Sequence, residues 1–215
     1  MSFLDQLKSR ASALQQQQRG QVQNFEASTA QTETACQKAW SYLSDLARQL
    51  TVIEPAGPKF TLDGKTPWPA MKLTNFRADA RKKRLRDKEV FDYLAVGWRV
   101  VPQFGLPVGG SVSANFPPDL QRIEKRLAEG SVKHERIEVR HPEKNSLLAL
   151  RFDYITEARG SVTVTADHDN AKLVFRIANA NGFEIITTSW AAGQVQTNTL
   201  DELAKMVVAQ PHRFA

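Results

Sequence analysis

The hydrophobic positions near the start of the chain recur with the period of an α-helix. Leu4, Leu7, Ala11 and Leu14 follow a spacing of three and four residues. After a polar interval the same stripe resumes at Phe25, Ala35, Ala39, Tyr42, Leu43, Leu46, Leu50 and Ile53. Pro55 ends the pattern because proline cannot continue the helical hydrogen-bond ladder. We therefore predict a long amphipathic N-terminal helix, with Ser2 as its N-cap.

The length of this helix decides how it can be arranged. About fifty helical residues span roughly 75 Å, whereas a compact chain of 215 residues has a radius of gyration of about 17 Å. The helix therefore breaks near Gly20, projects from the body, or folds back on it. A projecting helix needs a partner for its stripe, and a second copy of the chain is the simplest partner. Despite the polar Gln18 and Gln21, the pattern favours a homo-oligomer, built as a coiled coil or helical hairpin bundle.

Alternating apolar and polar residues replace the helical period after a Pro/Gly-rich stretch. Two strand-like runs cover residues 70–102, and five shorter runs separated by turn residues cover 132–190. Two helical patterns remain, over 117–129 and after Thr199. The sequence thus predicts an α+β fold: a twisted antiparallel sheet of about seven strands with a C-terminal meander, two packing helices and the long N-terminal helix. Phe152 and Phe175 are expected on the same buried side of that sheet.

The change of pattern also suggests a division of the chain. Residues 1–54 form a helical extension, 55–69 a Pro/Gly-rich linker, and 70–215 an antiparallel α+β domain. Trp68, flanked by two prolines, is expected to anchor the linker to the domain.

Charge is concentrated in one short segment. The chain carries a formal net charge of +6, and residues 77–88 alone hold seven Lys or Arg against two Asp. The remaining sequence is therefore almost neutral. The candidate binding residues for a polyanion or an acidic partner are Arg77, Arg81, Lys82, Lys83, Arg84, Arg86 and Lys88.

Three interpretations of this segment stay open. Its like charges could simply keep a hairpin end solvated. They could neutralise the phosphates of a nucleic acid, or they could dock an acidic protein or an anionic lipid surface. Aromatic side chains do not interleave the cations, which disfavours single-stranded nucleic acid.

Candidate chemistry is sparse elsewhere. Asp167-His168-Asp169 is more typical of turn chemistry than of a metal site, and Gly109-Gly110 has the spacing of neither a P-loop nor a dinucleotide fingerprint. We predict no cofactor, no metal site and no catalytic residue. The single cysteine, Cys36, and the lack of a signal peptide or an apolar membrane span indicate a cytoplasmic protein.

The preferred function is a non-enzymatic binding or adaptor protein. It would self-associate through its N-terminal helix and present the basic hairpin to an acidic partner. The alternative is a small-molecule enzyme or ligand-binding protein with a pocket on the sheet, and converging polar residues in such a pocket would favour it.

Overall fold

Three helices and eight strands make up the chain. The computed structural model describes residues 3–215, and before Val22 it describes the side chains of Gln6, Lys8, Arg10, Ser12, Leu14, Gln15 and Gln16. The predicted cap at Ser2 and the side chains of Leu4, Leu7 and Ala11 lie outside what is described. In order, the elements are α1 (Phe3–Ile53), β1 (Met71–Leu85), β2 (Lys88–Pro102), β3 (Gly109–Ala114), α2 (Pro117–Glu129), β4 (His134–Arg140), β5 (Leu147–Ile155), β6 (Ala158–Asp167), β7 (Lys172–Ala178), β8 (Ile185–Ala191) and α3 (Thr197–Val207).

The strands form two antiparallel sheets, which confirms the α+β class but divides the single sheet that we predicted. One sheet has five strands in the order β1-β2-β6-β7-β8, and the other has three in the order β3-β5-β4. The predicted meander over 132–190 is therefore split between β5 and β6. Phe152 on β5 and Phe175 on β7 are both buried, but they lie in different sheets. Alternation assigns a residue to a face without saying which strand lies beside it.

Helix α1 both folds back and projects. It is unbroken from Phe3 to Ile53, so the expected break near Gly20 does not occur. In its second half, Ala35, Cys36, Ala39 and Leu43 are at most 2% exposed and pack against the five-stranded sheet. In its first half, every described side chain from Gln6 to Ala27 is exposed. The division of the chain at residue 54 into an extension and a separate domain stays a prediction. The second half of the helix contributes to the same hydrophobic core as the strands.

A second part of the core lies beneath the three-stranded sheet. Trp68 is buried and stacks on Tyr154 with ring centroids 5.7 Å apart, so it anchors the 55–69 segment as predicted. Phe60 and Leu62 of the same segment are also buried. Helix α2 has the predicted bounds and contributes Ile123 and Leu127 to this core.

Helix α3 and the C-terminal tail complete the cover of the five-stranded sheet. The tail places Phe214 edge-on against Phe175, with ring centroids 5.2 Å apart. The helix begins at Thr197, earlier than the sequence suggested, and its N-cap Gln196 makes no side-chain capping bond. Thr199 donates its hydroxyl to the carbonyl of Gln194. Thr199 and Glu202 have the spacing of a capping box, but Glu202 instead contacts Lys205 and the amide of Arg213.

Both core phenylalanines should be essential to stability. Phe152 and Phe175 are at most 1% exposed, so truncation to alanine leaves a cavity that the surroundings only partly fill. We expect Phe152→Ala and Phe175→Ala each to lower the free energy of unfolding by about 3–5 kcal/mol, measured by urea denaturation. Phe104→Ala, at a side chain 81% exposed, is the control and should leave the midpoint unchanged. A midpoint like that of the wild type in either core variant would contradict the packing described above.

Candidate functional site

The basic hairpin, residues 77–88, is built mostly from strand. β1 continues to Leu85, a turn at Arg86 and Asp87 follows, and β2 begins at Lys88. Both turn residues have positive φ, 47° and 63°, as a two-residue hairpin turn of type I′ requires. The predicted cluster therefore lies at a hairpin end, but only Arg86 of its cations sits in the turn. The other six cations lie on the strands themselves and not in a loop.

Most cations of the basic hairpin have a carboxylate partner. The pairs are Lys82 with Glu89 (3.8 Å), Lys83 with Asp92 (3.0 Å), Arg84 with Asp87 (2.9 Å), Lys88 with Glu26 (3.9 Å), and Arg86 with Asp169. Asp169 and Glu26 are distant in sequence, which is why the charge count along the segment suggested an isolated positive region. In space the charge is largely offset, although exposed pairs of this kind stabilise the fold little.

The hairpin also supports the middle of α1. The guanidinium of Arg86 lies over the ring of Phe25, 4.4 Å from its centroid, and Lys88 pairs with Glu26 one residue further along the helix. These contacts give Arg86 and Lys88 a structural role. Whether the hairpin also binds a polyanion stays a prediction.

Arg77 and Arg81 differ from the other hairpin cations. No carboxylate among the described side chains lies within salt-bridge distance of either of them; Arg77 contacts the side-chain oxygen of Asn75 at 3.4 Å. On β1 they stand opposite Gly97 and Tyr93 of β2. Along β2, Tyr93 and Gly97 alternate with Leu94, Val96 and Trp98, whose side chains are buried on the opposite face. Arg77 and Arg81 therefore belong to the face of the five-stranded sheet turned away from α1, here called the open face.

A groove of about 1020 Å³ runs over the open face. The sheet forms its floor, and the end of α2 with the segment leading to β4 forms one wall. Its lining includes five cations and two carboxylates, each cation on a different strand or connection: Arg77, Arg99, Lys133, Arg159 and Arg176, with Glu129 and Glu157. The groove therefore has an excess of positive charge that the sequence does not reveal, because its members are far apart along the chain.

Two arginines of the groove face each other across neighbouring strands. Arg99 on β2 is directly opposite Arg159 on β6. Glu157 accepts hydrogen bonds from Arg99, at 2.8 Å to one terminal nitrogen and 3.0 Å to Nε. Arg159 has no carboxylate within salt-bridge distance among the described residues. Like charges directly opposite each other disfavour strand pairing, and here Glu157 offsets the charge of Arg99 but not that of Arg159.

The floor between the cations is made of small side chains. Gly97 stands between Arg77 and Ser161, and Ser161 is followed across the sheet by Ala178. A Cβ at Gly97 would meet no atom nearer than the carbonyl oxygen of Gly160, at 3.9 Å. Neither packing nor backbone conformation therefore demands glycine at this central position. A glycine inside a strand can mark a place where another molecule approaches the backbone closely.

The wall of the groove is fixed to the sheet by hydrogen bonds. The amide of Arg159 donates to the carbonyl of Gly130 at 2.8 Å. The side chain of Asn179, fully buried, donates to the carbonyls of Glu129 and Arg159 at 2.8 and 2.7 Å. A Cβ at Gly130 would lie 2.4 Å from the ring of Phe183, so glycine here permits the close packing. Arg159 is thus held in a defined position relative to the end of α2.

The other candidate groups of the sequence do not converge. In Asp167-His168-Asp169, Asp167 binds Asn170, Asp169 pairs with Arg86, and Nε2 of the buried His168 lies 2.7 Å from the carbonyl of Phe91. No group of three His, Cys, Asp or Glu side chains suited to a metal occurs among the residues described. Burial, with a smaller contribution from Glu33, raises the pKa of the Cys36 thiol to about 12. This thiol therefore stays protonated and is a poor nucleophile.

No protein-family model matches the chain, and neither the curated proteins nor the solved structures include a match. Within residues 3–215, no helix combines the length and the apolar character needed to cross a membrane.

Sequence patterns do not single out Arg99, Lys133, Arg159 or Arg176. Each is a single basic residue in an alternating or turn segment, where a solvated charge is the ordinary interpretation. One feature of the sequence could have indicated the groove, because β2, β6 and β7 each carry an arginine on their polar face. The pairing of β2 with β6 and of β6 with β7 brings these positions together.

Two glycines on adjacent strands provide a test of the open floor. A Cβ at Gly97 enters open space, whereas a Cβ at Gly160 would lie 2.2 Å from the ring of Trp98 on the packed side. We expect Gly97→Ala to retain or raise the free energy of unfolding, by up to about 1 kcal/mol. Gly160→Ala should lower it by about 1–3 kcal/mol because the core is overpacked. Urea denaturation of both variants is the measurement, and equal destabilisation would show that the floor is not open.

Proposed function

We propose that the protein is a non-enzymatic binding protein whose open-face groove holds a multiply charged anionic partner. The observation that carries this proposal is the opposition of Arg99 and Arg159 above a floor of small residues. An anion bound between these guanidiniums would convert an unfavourable contact into charge-assisted hydrogen bonds, which are among the stronger ones in proteins.

The spread of the cations indicates the size of the ligand. Neighbouring strands are about 4.8 Å apart and successive residues rise about 3.3 Å, so Arg77 and Arg176 lie roughly 15 Å apart across the floor. A single phosphate or carboxylate cannot contact both. A molecule with several anionic groups, or an extended acidic segment of a partner, fits the groove better.

Binding is better supported than catalysis. Both carboxylates of the groove are near a cation, since Glu157 pairs with Arg99 and Glu129 lies 3.8 Å from Lys125. The geometry therefore offers no evident general base beside the cationic floor. The alternative function included a ligand-binding protein with a pocket on the sheet. The polar residues that converge in the groove support such a pocket more than they support the basic hairpin as the principal site.

Among polyanions, single-stranded nucleic acid is the weakest candidate. Such strands are usually held by aromatic side chains on which bases stack. Tyr93 is the aromatic residue among the open-face register positions, and its hydroxyl donates to Asp79 at 3.2 Å. We also propose a cytoplasmic location, which a single, unpaired and buried cysteine supports.

Substitution of the groove arginines tests the proposal directly. We expect Arg159→Gln with Arg176→Gln to weaken binding of inorganic tripolyphosphate, measured by titration calorimetry, by at least about tenfold, which corresponds to about 1.4 kcal/mol. Each lost charge-assisted hydrogen bond accounts for about 1.5–3 kcal/mol. Gly97→Val, which places a branched side chain on the floor, should weaken binding as well.

The matched control removes the same charge from the basic hairpin. Lys82→Gln with Lys83→Gln alters two paired cations and should leave the affinity for tripolyphosphate within about twofold at low salt. If the hairpin variant loses binding and the groove variant does not, the hairpin is the site and the groove is not.

We also propose that α1 assembles with a second copy of the chain. Leu14, Val22 and Phe25 are exposed by 55, 57 and 38%. At 100° per residue they fall on the side of the helix that Thr32, Cys36 and Leu43 bury further along. The stripe that packs on the sheet therefore continues beyond it, where Arg86 covers part of Phe25 and Leu14 and Val22 stay more than half exposed. A homo-oligomer would bury this stretch.

Charges introduced on the exposed stripe should dissociate such an oligomer. We expect Leu14→Glu with Val22→Glu to give a monomer in sedimentation equilibrium across a dilution series, because carboxylates cannot be buried unpaired in the seam. Gln16→Glu with Gln23→Glu adds the same charge on the opposite side of the helix and should keep the mass of the wild type. A wild-type protein that is monomeric at every concentration would exclude self-association.

A further inference from the structure

The connection between β2 and β3 exposes large apolar side chains. Phe104 and Leu106 are 81 and 82% exposed, and Val108 and Ile155 at the base of the connection are 55 and 41% exposed. Isolated apolar residues on a surface are normal, whereas a group of this kind marks an interaction site. Residues 103–108 are called the apolar loop below.

The apolar loop is held in this projecting form. At its start, the amide of Gln103 donates to the carbonyl of Ala70 at 2.8 Å. At its end, the buried Thr156 exchanges three hydrogen bonds of 3.0–3.1 Å with the backbone of Val108. Gly105 adopts a φ of +76° at the tip, and a Cβ there would meet no atom within 4 Å. Both ends of the loop are therefore fixed to the body of the protein, and its tip is exposed.

Cations of the groove lie next to the base of the loop. The carbonyl of Lys133 accepts a hydrogen bond from the amide of Ile155 at 3.1 Å. Arg99 is three residues before the end of β2 at Pro102, and Arg159 is opposite Arg99. Lys133 thus adjoins the base of the projection, and Arg99 and Arg159 lie about 10 Å further along the same strands.

We propose that the apolar loop inserts into the surface of an anionic lipid membrane while Arg99, Lys133 and Arg159 contact lipid headgroups. This inference rests on the proposed function, since it names a lipid headgroup as the anion that the groove cations bind. Apolar insertion combined with attraction to anionic lipids is the general mode of peripheral membrane binding.

The shape of the loop favours a membrane over a protein partner. Apolar contacts between proteins depend on pockets that enclose each side chain. Here Phe104 and Leu106, which flank Gly105 in the loop, are each more than 80% exposed and are not enclosed by neighbouring side chains. A lipid surface offers hydrocarbon at the level of the tip and negative charge at the level of Arg99, Lys133 and Arg159. This layered order matches the arrangement of the side chains.

Vesicle co-sedimentation of the full chain tests this inference. The probes are phosphatidylcholine vesicles with and without roughly 30% phosphatidylserine. We expect binding only to the anionic vesicles. Phe104→Ser with Leu106→Ser should reduce the partition coefficient by at least about tenfold because the inserted apolar area is lost. Leu147→Ser with Leu148→Ser is the matched control, since these residues are 53 and 48% exposed at the opposite end of β5. It should bind as the wild type does.

Titration of the same variants with tripolyphosphate separates the two proposals. The loop variant should keep the affinity of the wild type for this soluble anion, and Arg159→Gln with Arg176→Gln should lose both the anion and the vesicles. Vesicle binding unchanged in the loop variant, or no vesicle binding by a protein that binds tripolyphosphate, would overturn the membrane inference and leave the groove proposal intact. Undiminished tripolyphosphate binding by the arginine variant would instead overturn the groove proposal.

Discussion

Helix α1 buries Cys36, Ala39 and Leu43 against one face of the five-stranded sheet, and this contact decides which surfaces remain accessible. The small side chains of the helix let it approach the strands closely, so burial there is extensive. Helix α3 and Phe214 complete the cover on the same side. With one face filled, the opposite face is left to water, and there the strands carry glycine, serine, threonine and arginine. The groove is a consequence of one-sided packing.

The passage of the chain from one sheet to the other gives the groove its wall and its neighbouring loop. Thr156 follows the end of β5 and fixes Val108, and Ala158 begins β6 within the other sheet. Between them, Glu157 reaches Arg99. Three residues therefore join the two sheets, orient a groove cation and support the apolar loop. A change in the conformation of this connection would therefore disturb the packing of the two sheets, the position of Arg99 and the apolar loop together.

Local patterns were sufficient for the elements but not for their partners. The bounds of α2, the position of Trp68 and the burial of Phe152 and Phe175 follow from spacing and turn residues, which act over a few positions. The division into two sheets depends on which strands pair, and β2 pairs with β6 across the whole of the second sheet and α2. The periodicity of α1 also does not show which part of the helix is covered. Leu14 and Leu43 follow the same period, but only Leu43 packs against the sheet.

The distribution of charge over the fold is harder still to predict from local sequence patterns. Counted along the chain, the basic hairpin holds nearly all of the net charge, yet Glu26, Asp92 and Asp169 approach it from other elements. Arg159 and Arg176 attract no attention in the sequence, yet they lie on a floor that brings few carboxylates near them. A positive potential depends on the distances between charges and on the solvent around them. The groove concentrates cations over an uncharged floor, whereas the hairpin pairs them at its surface. For that reason the groove, whose arginines are inconspicuous in the sequence, is a stronger candidate binding site than the basic hairpin.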